Sequence, residues 1–294
     1  MSWLTEFPQL SRRDLLTLRQ TLDEGYRSFS RSYGEAIENF FDPLLAFLVW
    51  FENLLVEAPW WVVIAAILGI THYAARSIKL TVGVGISLFL VGFFGMWEDT
   101  MSTLSIITVC TLISIALGIP MGILMARSHR AQSIITPVLD IMQTMPAFVY
   151  LIPVVMLLGI GKIPGLIAVI IYAIPPVIRL TNLGIRLVDK EVLEAADAYG
   201  VTPMQRLFNV QLPLAMPNIM AGINQTIMMA LAMVVIASMI GVSGLGQPVL
   251  RSITNQYFTL GILNGAAIVV LAIIFDRVSQ SYAKRSQRYM RSGS

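Results

Sequence analysis

Asp140, Gln143 and Thr144 stand at i, i+3 and i+4 within an apolar run of this 294-residue chain, so a helix would stack all three on one face. Arg179 lies near the corresponding end of the next apolar run. At 1.5 Å per residue Asp140 falls about 9 Å inside its run. Ionisable side chains at membrane depth are costly, and they face a pathway or a partner. The chemistry this set offers is charge pairing, either an Asp140–Arg179 gate that closes a path in one state or a static structural pair. Asn224 and Gln225, in a later apolar run, are further candidates for lining that path. Nothing in the chain has the spacing of a catalytic set. His72 and His129 are isolated from other metal-ligating residues and from each other. The lone Cys110 sits in an apolar run as a small buried residue. Gly159-Ile160-Gly161-Lys162-Ile163 lacks the upstream glycine of a phosphate loop and has Ile163 where a magnesium-binding hydroxyl is needed. Gly241-Val242-Ser243-Gly244-Leu245-Gly246 follows no strand, and a flexible turn is expected there.

The elements that carry these residues are membrane spans. Hydrophobic residues make up 56% of the chain and charged residues 13%, too apolar for an ordinary soluble domain. The apolar residues are bunched into runs near the ~20 residues that cross a bilayer as helix. An all-α polytopic membrane protein is predicted, with the lipid bilayer as its surroundings. The formal charge of +3 calls for no nucleic acid. Seven spans are drawn, at about 59–75, 78–97, 101–127, 134–159, 163–183, 216–241 and 260–278. Ahead of them, Leu44–Val56 is short and contains Glu52, which predicts an interfacial amphipathic helix. Residues 1–42 are polar and lack the pattern of a cleavable signal.

Lysine and arginine fix the orientation. Arg76, Lys79, Arg127, Arg130, Arg179, Arg186, Lys190, Arg206, Arg277, Lys284, Arg285, Arg288 and Arg291 share one side of a seven-span chain. Only Lys162 and Arg251 occupy the short loops of the other. The first side is cytoplasmic. The C-terminus is then cytoplasmic and the N-terminal tail outside; if Leu44–Val56 also spanned, eight spans and a cytoplasmic tail would result. Pro120, Pro146, Pro153, Pro175, Pro176 and Pro217 all fall within spans, where each removes a helical hydrogen bond and is expected to kink it. Kinked helices suit a protein that lines a pathway and moves.

Between the fifth and sixth spans lies a polar loop, residues 189–213. Asp189 can cap a helix with Glu191 in its first turn, and Gly200 can end that helix with a positive φ. Ala195 and Ala196 leave a low-relief surface for close approach by another protein. Thr202, Pro203 and Gln205 have the spacing of a second helix start closed by a capping box. Pro213 is expected to stop that second helix. The result is a rigid knob that could pass a displacement into the spans on either side.

Glu194-Ala195-Ala196, three residues, Gly200, nine residues, Val210, Gln211 and Leu212-Pro213 resembles the coupling loop of permeases of ABC importers, with Val210 where Ile is more usual. The stretches 142–150, 174–181, 211–217, 220–226 and 235–240 are similar to the glycine betaine/proline betaine/choline branch of that family. The resemblance covers about residues 99–280. It implies a type I importer core at 98–280, two accessory spans at 59–97, an extracytoplasmic tail with an interfacial helix at 1–58 and a basic cytoplasmic tail at 281–294. Glu194, Ala195, Ala196, Gly200, Leu212 and Pro213 would contact a separate ATPase. The implied partners are two copies of that ABC ATPase, a periplasmic substrate-binding protein and a second copy of this permease. No cofactor would bind this chain; ATP and Mg²⁺ would sit on the ATPase subunit. The implied location is the bacterial inner membrane, and the implied cargo is choline or a betaine. Two alternatives are an ABC permease for another osmolyte, amino acid or anion, and an ion-coupled secondary carrier.

Overall fold

A computed structural model describes residues 10–292, and among them the chain forms helices, turns and loops without a strand. In order they are α1 (Arg12–Glu57), α2 (Trp60–Ala75), α3 (Ile78–Phe93), α4 (Trp97–Arg127), α5 (His129–Thr144), α6 (Leu151–Leu158) and α7 (Lys162–Ala173). There follow α8 (Pro175–Arg186), α9 (Lys190–Ala198), α10 (Pro203–Gln205), α11 (Leu212–Ala237), α12 (Gly246–Asn255) and α13 (Phe258–Ser292). The first nine and last two residues of the expected tails lie outside the described residues.

α8 is the waist of the fold, gripped between α4 and α11. Lipid gives apolar helices no hydrophobic reason to associate, so close contact through small residues holds them together. A Cβ on Gly118 of α4 would meet Val177 Cγ1 at 2.4 Å, and one on Gly122 would meet Thr181 Cβ at 2.6 Å and the Ile178 carbonyl oxygen at 2.8 Å. On the other side, a Cβ on Gly184 would lie 2.8 Å from Asn218 Cβ, and one on Gly222 would lie 3.1 Å from Val177 Cα. Pro175, Pro176, Val177, Ile178, Thr181, Asn182, Gly184 and Ile185 are accordingly buried. The largest core cluster joins α4, α7 and α11 and includes Cys110, which is fully buried.

Five helical stretches among the described residues are long and apolar enough to cross a membrane: Arg12–Glu57, Trp97–Arg127, Lys162–Arg186, Pro203–Ile240 and Phe258–Ala283. A sixth arises if His129–Thr144 and Ala147–Leu158, bent by 113°, count together. The expected seven spans are therefore not reproduced. α2 and α3 have 16 residues each. That is about 24 Å of helix, shorter than the ~30 Å hydrocarbon layer. The expected single span at 134–159 is instead the bent α5–α6 pair.

Leu44–Val56 is not a separate interfacial helix. It is the last third of α1, a continuous 46-residue helix with Pro43 inside it. Leu48 packs into the main core, and Glu52 is buried against Lys162 Nζ at 2.7 Å. Nearer its start, α1 runs along α6: the Tyr26 hydroxyl donates to the Pro153 carbonyl at 2.6 Å. The sequence pattern missed this helix because polar residues dominate its exposed first half.

At Pro146 the expected kink is present as the 113° bend between α5 and α6, whereas other prolines fall in the first turns of helices. Pro175 and Pro176 open α8, Pro153 lies in the first turn of α6, and Pro146 sits in the α5–α6 break. Pro120 and Pro217 alone of the expected six lie inside a continuing helix. The turn before α12 is not loose either. Gly244 has φ +118, Val242 and Leu245 are buried, and the Leu245 amide donates to Thr103 Oγ1 of α4 at 2.9 Å.

Candidate coupling surface and gate

Local sequence builds the 189–213 loop. The Asp189 carboxylate accepts from the Glu191 amide at 3.0 Å and caps α9, whose first turn holds Glu191 against the positive end of the helix dipole. At the other end Gly200 takes φ +74. The Val201 amide then bonds the Ala196 carbonyl at 3.3 Å and the Gly200 amide bonds the Asp197 carbonyl at 3.0 Å, the pairing of a Schellman ending. Thr202 and Gln205 close a reciprocal capping box around Pro203. Arg206 Nη1 pairs with Asp197 Oδ2 at 2.7 Å, tying the second helix back to α9. Two caps, one left-handed glycine and one ion pair thus fix a V-shaped knob.

Pro213 does not stop the second helix. Residues Arg206–Gln211 form a π-helical turn, in which the Leu212 amide reaches Leu207, and Pro213 is then among the first residues of α11. The wider turn gives the proline ring room, and its missing amide hydrogen falls where the bonding pattern changes register. The knob and α11 are consequently one mechanical piece.

Burial divides the loop into a face for this protein and a face for another. α9 has no buried residue. Leu193, Ala196, Leu212 and Pro213 are half-buried against the body, whereas Glu194, Ala195, Ala198 and Gly200 are exposed. Tyr199 is 90% exposed, and Met204 and Phe208 are also open. These three apolar side chains were not singled out in the sequence, although exposed apolar residues on a polar loop are the signal. Leu207 is the anchor beneath, packed with Ile185, Ala215 and Ile219. Arg186 extends the linkage: its Nη2 donates to the Met125 carbonyl at the end of α4 at 2.8 Å, and its Nε to Asn182 at 3.0 Å. A polar cleft of about 310 Å³ lies between Ala126, Arg127, Ile185, Pro203, Arg206 and Gln211.

Along the apolar helices, the structure brings Asp140 Oδ1 and Arg179 Nη2 into an ion pair between α5 and α8. Their side chains remain 57% and 35% exposed, so the pair is open to exchange rather than sealed in the core. Gln143 and Thr144 are exposed on the same face of α5, and Gln225 is exposed on α11. Asn224 Nδ2 donates to Asp276 Oδ1 at 2.9 Å and its Oδ1 accepts from Ser279 Oγ at 2.6 Å, so it ties α11 to α13. Asp276 is the residue sequence reasoning missed, an acid within the last apolar run whose partners are the neutral amides of Asn224 and Gln280.

The family model for binding-protein-dependent transport system inner membrane components matches residues 118–288. The chain is 49% identical over 237 residues to the glycine betaine/proline betaine transport system permease protein of Escherichia coli (strain K12), covering 81% of this chain and 67% of that protein. It is 47% identical over 232 residues to the glycine betaine/carnitine transport permease protein of Listeria monocytogenes serotype 1/2a (strain 10403S), covering 78% of this chain and 82% of the relative. Its fold is similar to that of a chain from the methionine ABC transporter in an inward-facing conformation, with a TM-score of 0.58 at 20% identity over 63% of this chain and 93% of that one.

Proposed function

Since the chain belongs to the family of binding-protein-dependent transport system inner membrane components, we propose that it is the transmembrane permease subunit of an ATP-driven importer for a small quaternary ammonium compound, glycine betaine before choline. The observation that carries this reading is the knob at 189–213: rigid within itself, continuous with α11, and exposed where a second protein would sit. Two copies of the permease pair in the bacterial inner membrane. Each offers Glu194, Ala195, Ala196 and Gly200 to one ATPase subunit, where ATP and Mg²⁺ are held. A periplasmic binding protein delivers the cargo to the other side. The substrate preference rests on the relatives, whose names include glycine betaine.

The mechanism follows the contacts. Closure of the ATPase pair pushes the knob. Leu207 and the continuous π-turn carry that push into α11, and Arg186 carries it into α8 and the end of α4. α8 is gripped by glycines on both sides, so it moves with α4 and α11 rather than past them. Its Arg179 then leaves or meets Asp140 on α5, opening or closing the inner end of the path. Selectivity for a cation is set by the binding protein, where aromatic faces can hold the ammonium group.

The knob and the C-terminus are cytoplasmic, as lysine and arginine placement requires. The end of α1 pairs with Lys162, which the charge placement puts on the outer side, and the contacts of Tyr26 and Ser30 run to α6; both support an N-terminal tail outside. Uptake of radiolabelled glycine betaine and choline into cells lacking only this gene tests the function. Loss of betaine uptake that the intact gene restores supports it. Unchanged uptake of both compounds rejects the substrate class. A cysteine placed at Ala195, with the native Cys110 buried and silent, is expected to crosslink to the ATPase subunit. Labelling of that cysteine from outside the cell would overturn the assignment. The charge-swapped double variant D140R/R179D is expected to recover uptake that either single change abolishes, and failure to recover it removes the gate.

A further inference from the structure

Pro146 has no amide hydrogen, so the Met142 carbonyl four residues before it loses its helical donor. In the structure the Tyr150 hydroxyl donates to that carbonyl. The neighbouring carbonyl of Ile141 is served separately, by the Met145 amide at 3.1 Å and Thr144 Oγ1 at 3.0 Å. Tyr150 therefore replaces the one bond the proline deletes, at the point where α5 and α6 turn through 113°.

The tyrosine is itself well held. It is 6% exposed, belongs to the main core cluster, and meets the Tyr172 ring of α7 edge to face at 5.8 Å. α5, by contrast, buries only Leu139. Its ties to the core are that leucine, the half-buried Ile135 and Met142 side chains beside it, the exposed Asp140–Arg179 pair and the Tyr150–Met142 bond, and Met142 is two residues from Asp140. A side-chain donor eight residues away can keep its bond while the torsions at 145–146 change, which a backbone ladder cannot do. The arrangement is that of a hinge with a fixed pin.

We infer that Tyr150 is a positioning residue for transport. By holding the Met142 carbonyl across the Pro146 break, its hydroxyl sets the angle of α5 and so presents Asp140, Gln143 and Thr144 to the face where Arg179 waits. The inference rests on the gate reading of Asp140 and Arg179 and adds the residue that aims it.

The test is a double-mutant cycle of Y150F and P146A in the complete transporter, reconstituted in liposomes with its ATPase and binding protein. Phenylalanine keeps the packing and removes only the hydroxyl; alanine at 146 supplies an amide hydrogen that can reach the Met142 carbonyl once Met145 turns helical from its present ψ of 133. Y150F is expected to lower cargo taken up per ATP hydrolysed about tenfold, the scale of leaving one buried carbonyl without a partner. In the P146A background the same change is expected to add no further loss. Normal coupling in Y150F, or losses that multiply across the two changes, would overturn the inference. If Y150F does not assemble with the ATPase, the cycle is scored on assembled complex instead: recovery in Y150F/P146A supports the hinge, and none refutes it. A failed D140R/R179D swap beside a non-additive cycle removes Arg179 as the target and leaves the hinge at Tyr150 in place.

Discussion

The waist at α8 and the knob at α9 lie next to each other in the chain and are built on opposite principles. α8 has eight buried residues and is wedged between helices at separations no Cβ would allow. α9 has none buried, and its order comes from its own ends: a cap, a left-handed glycine and an ion pair. A surface that must receive a partner cannot also be packed by its own protein, so the knob is stiffened locally. A helix that must transmit motion cannot be loose, so α8 is stiffened by its neighbours. Stiffness is common to both, and only its source differs.

Substitutions at the two sites should fail in different ways. The largest effect is expected at Gly122→Leu. Its side chain would run into Thr181 and the Ile178 carbonyl, and backbone cannot yield as a flexible side chain can. Overpacking of this kind costs about 3 kcal/mol, and the yield of monodisperse protein after detergent extraction should collapse. A normal yield would mean that the waist is not wedged. Gly200→Leu comes next. It forces a branched residue into φ +74, at about 1–2 kcal/mol, in a place with open space around it. The protein should remain in the membrane at its normal level while uptake is lost; full uptake would separate the knob from transport. Arg206→Ala should be mildest. The Asp197 pair is part-exposed on both sides, so no more than about 1 kcal/mol is expected. Uptake should fall less than in Gly200→Leu, with a melting shift below about 4 °C. A larger loss would show that the ion pair, rather than the glycine, sets the angle of the knob.

What could be foreseen from sequence follows the range of the interactions. The caps at Asp189 and Thr202 and the turn at Gly200 depend on residues within five positions of each other, and the sequence alone locates them. The Asp140–Arg179 pair was also legible, because two opposite charges at similar depth in successive apolar runs have few other partners. Pro213 was misjudged for a definite reason. Pro213 falls in the first turn of α11, where a proline is tolerated, directly after a π-helical turn that no local pattern announces. The Asn224–Asp276 bond was not legible, because its two residues are 52 positions apart, a distance over which local pattern carries no information. The sequence divides α1 into a polar tail and a short interfacial helix because its N-terminal half is polar and exposed, while the features that dock it, Leu48 and Glu52, are single residues with remote contacts. The glycines of α4 and α11 were visible as letters, but only the fold shows which of them face α8.

The union of Glu52 with Lys162 has a bearing on how the chain is made. The two residues are separated by 110 positions. A ribosome adding 5–20 residues each second delivers the lysine roughly 5–20 s after the glutamate. Throughout that interval the carboxylate must remain wetted, because a lone charge does not enter an apolar interior. The longest helix is synthesised first and yet is seated only midway through the chain, waiting at the membrane until the seventh helix brings its counter-ion.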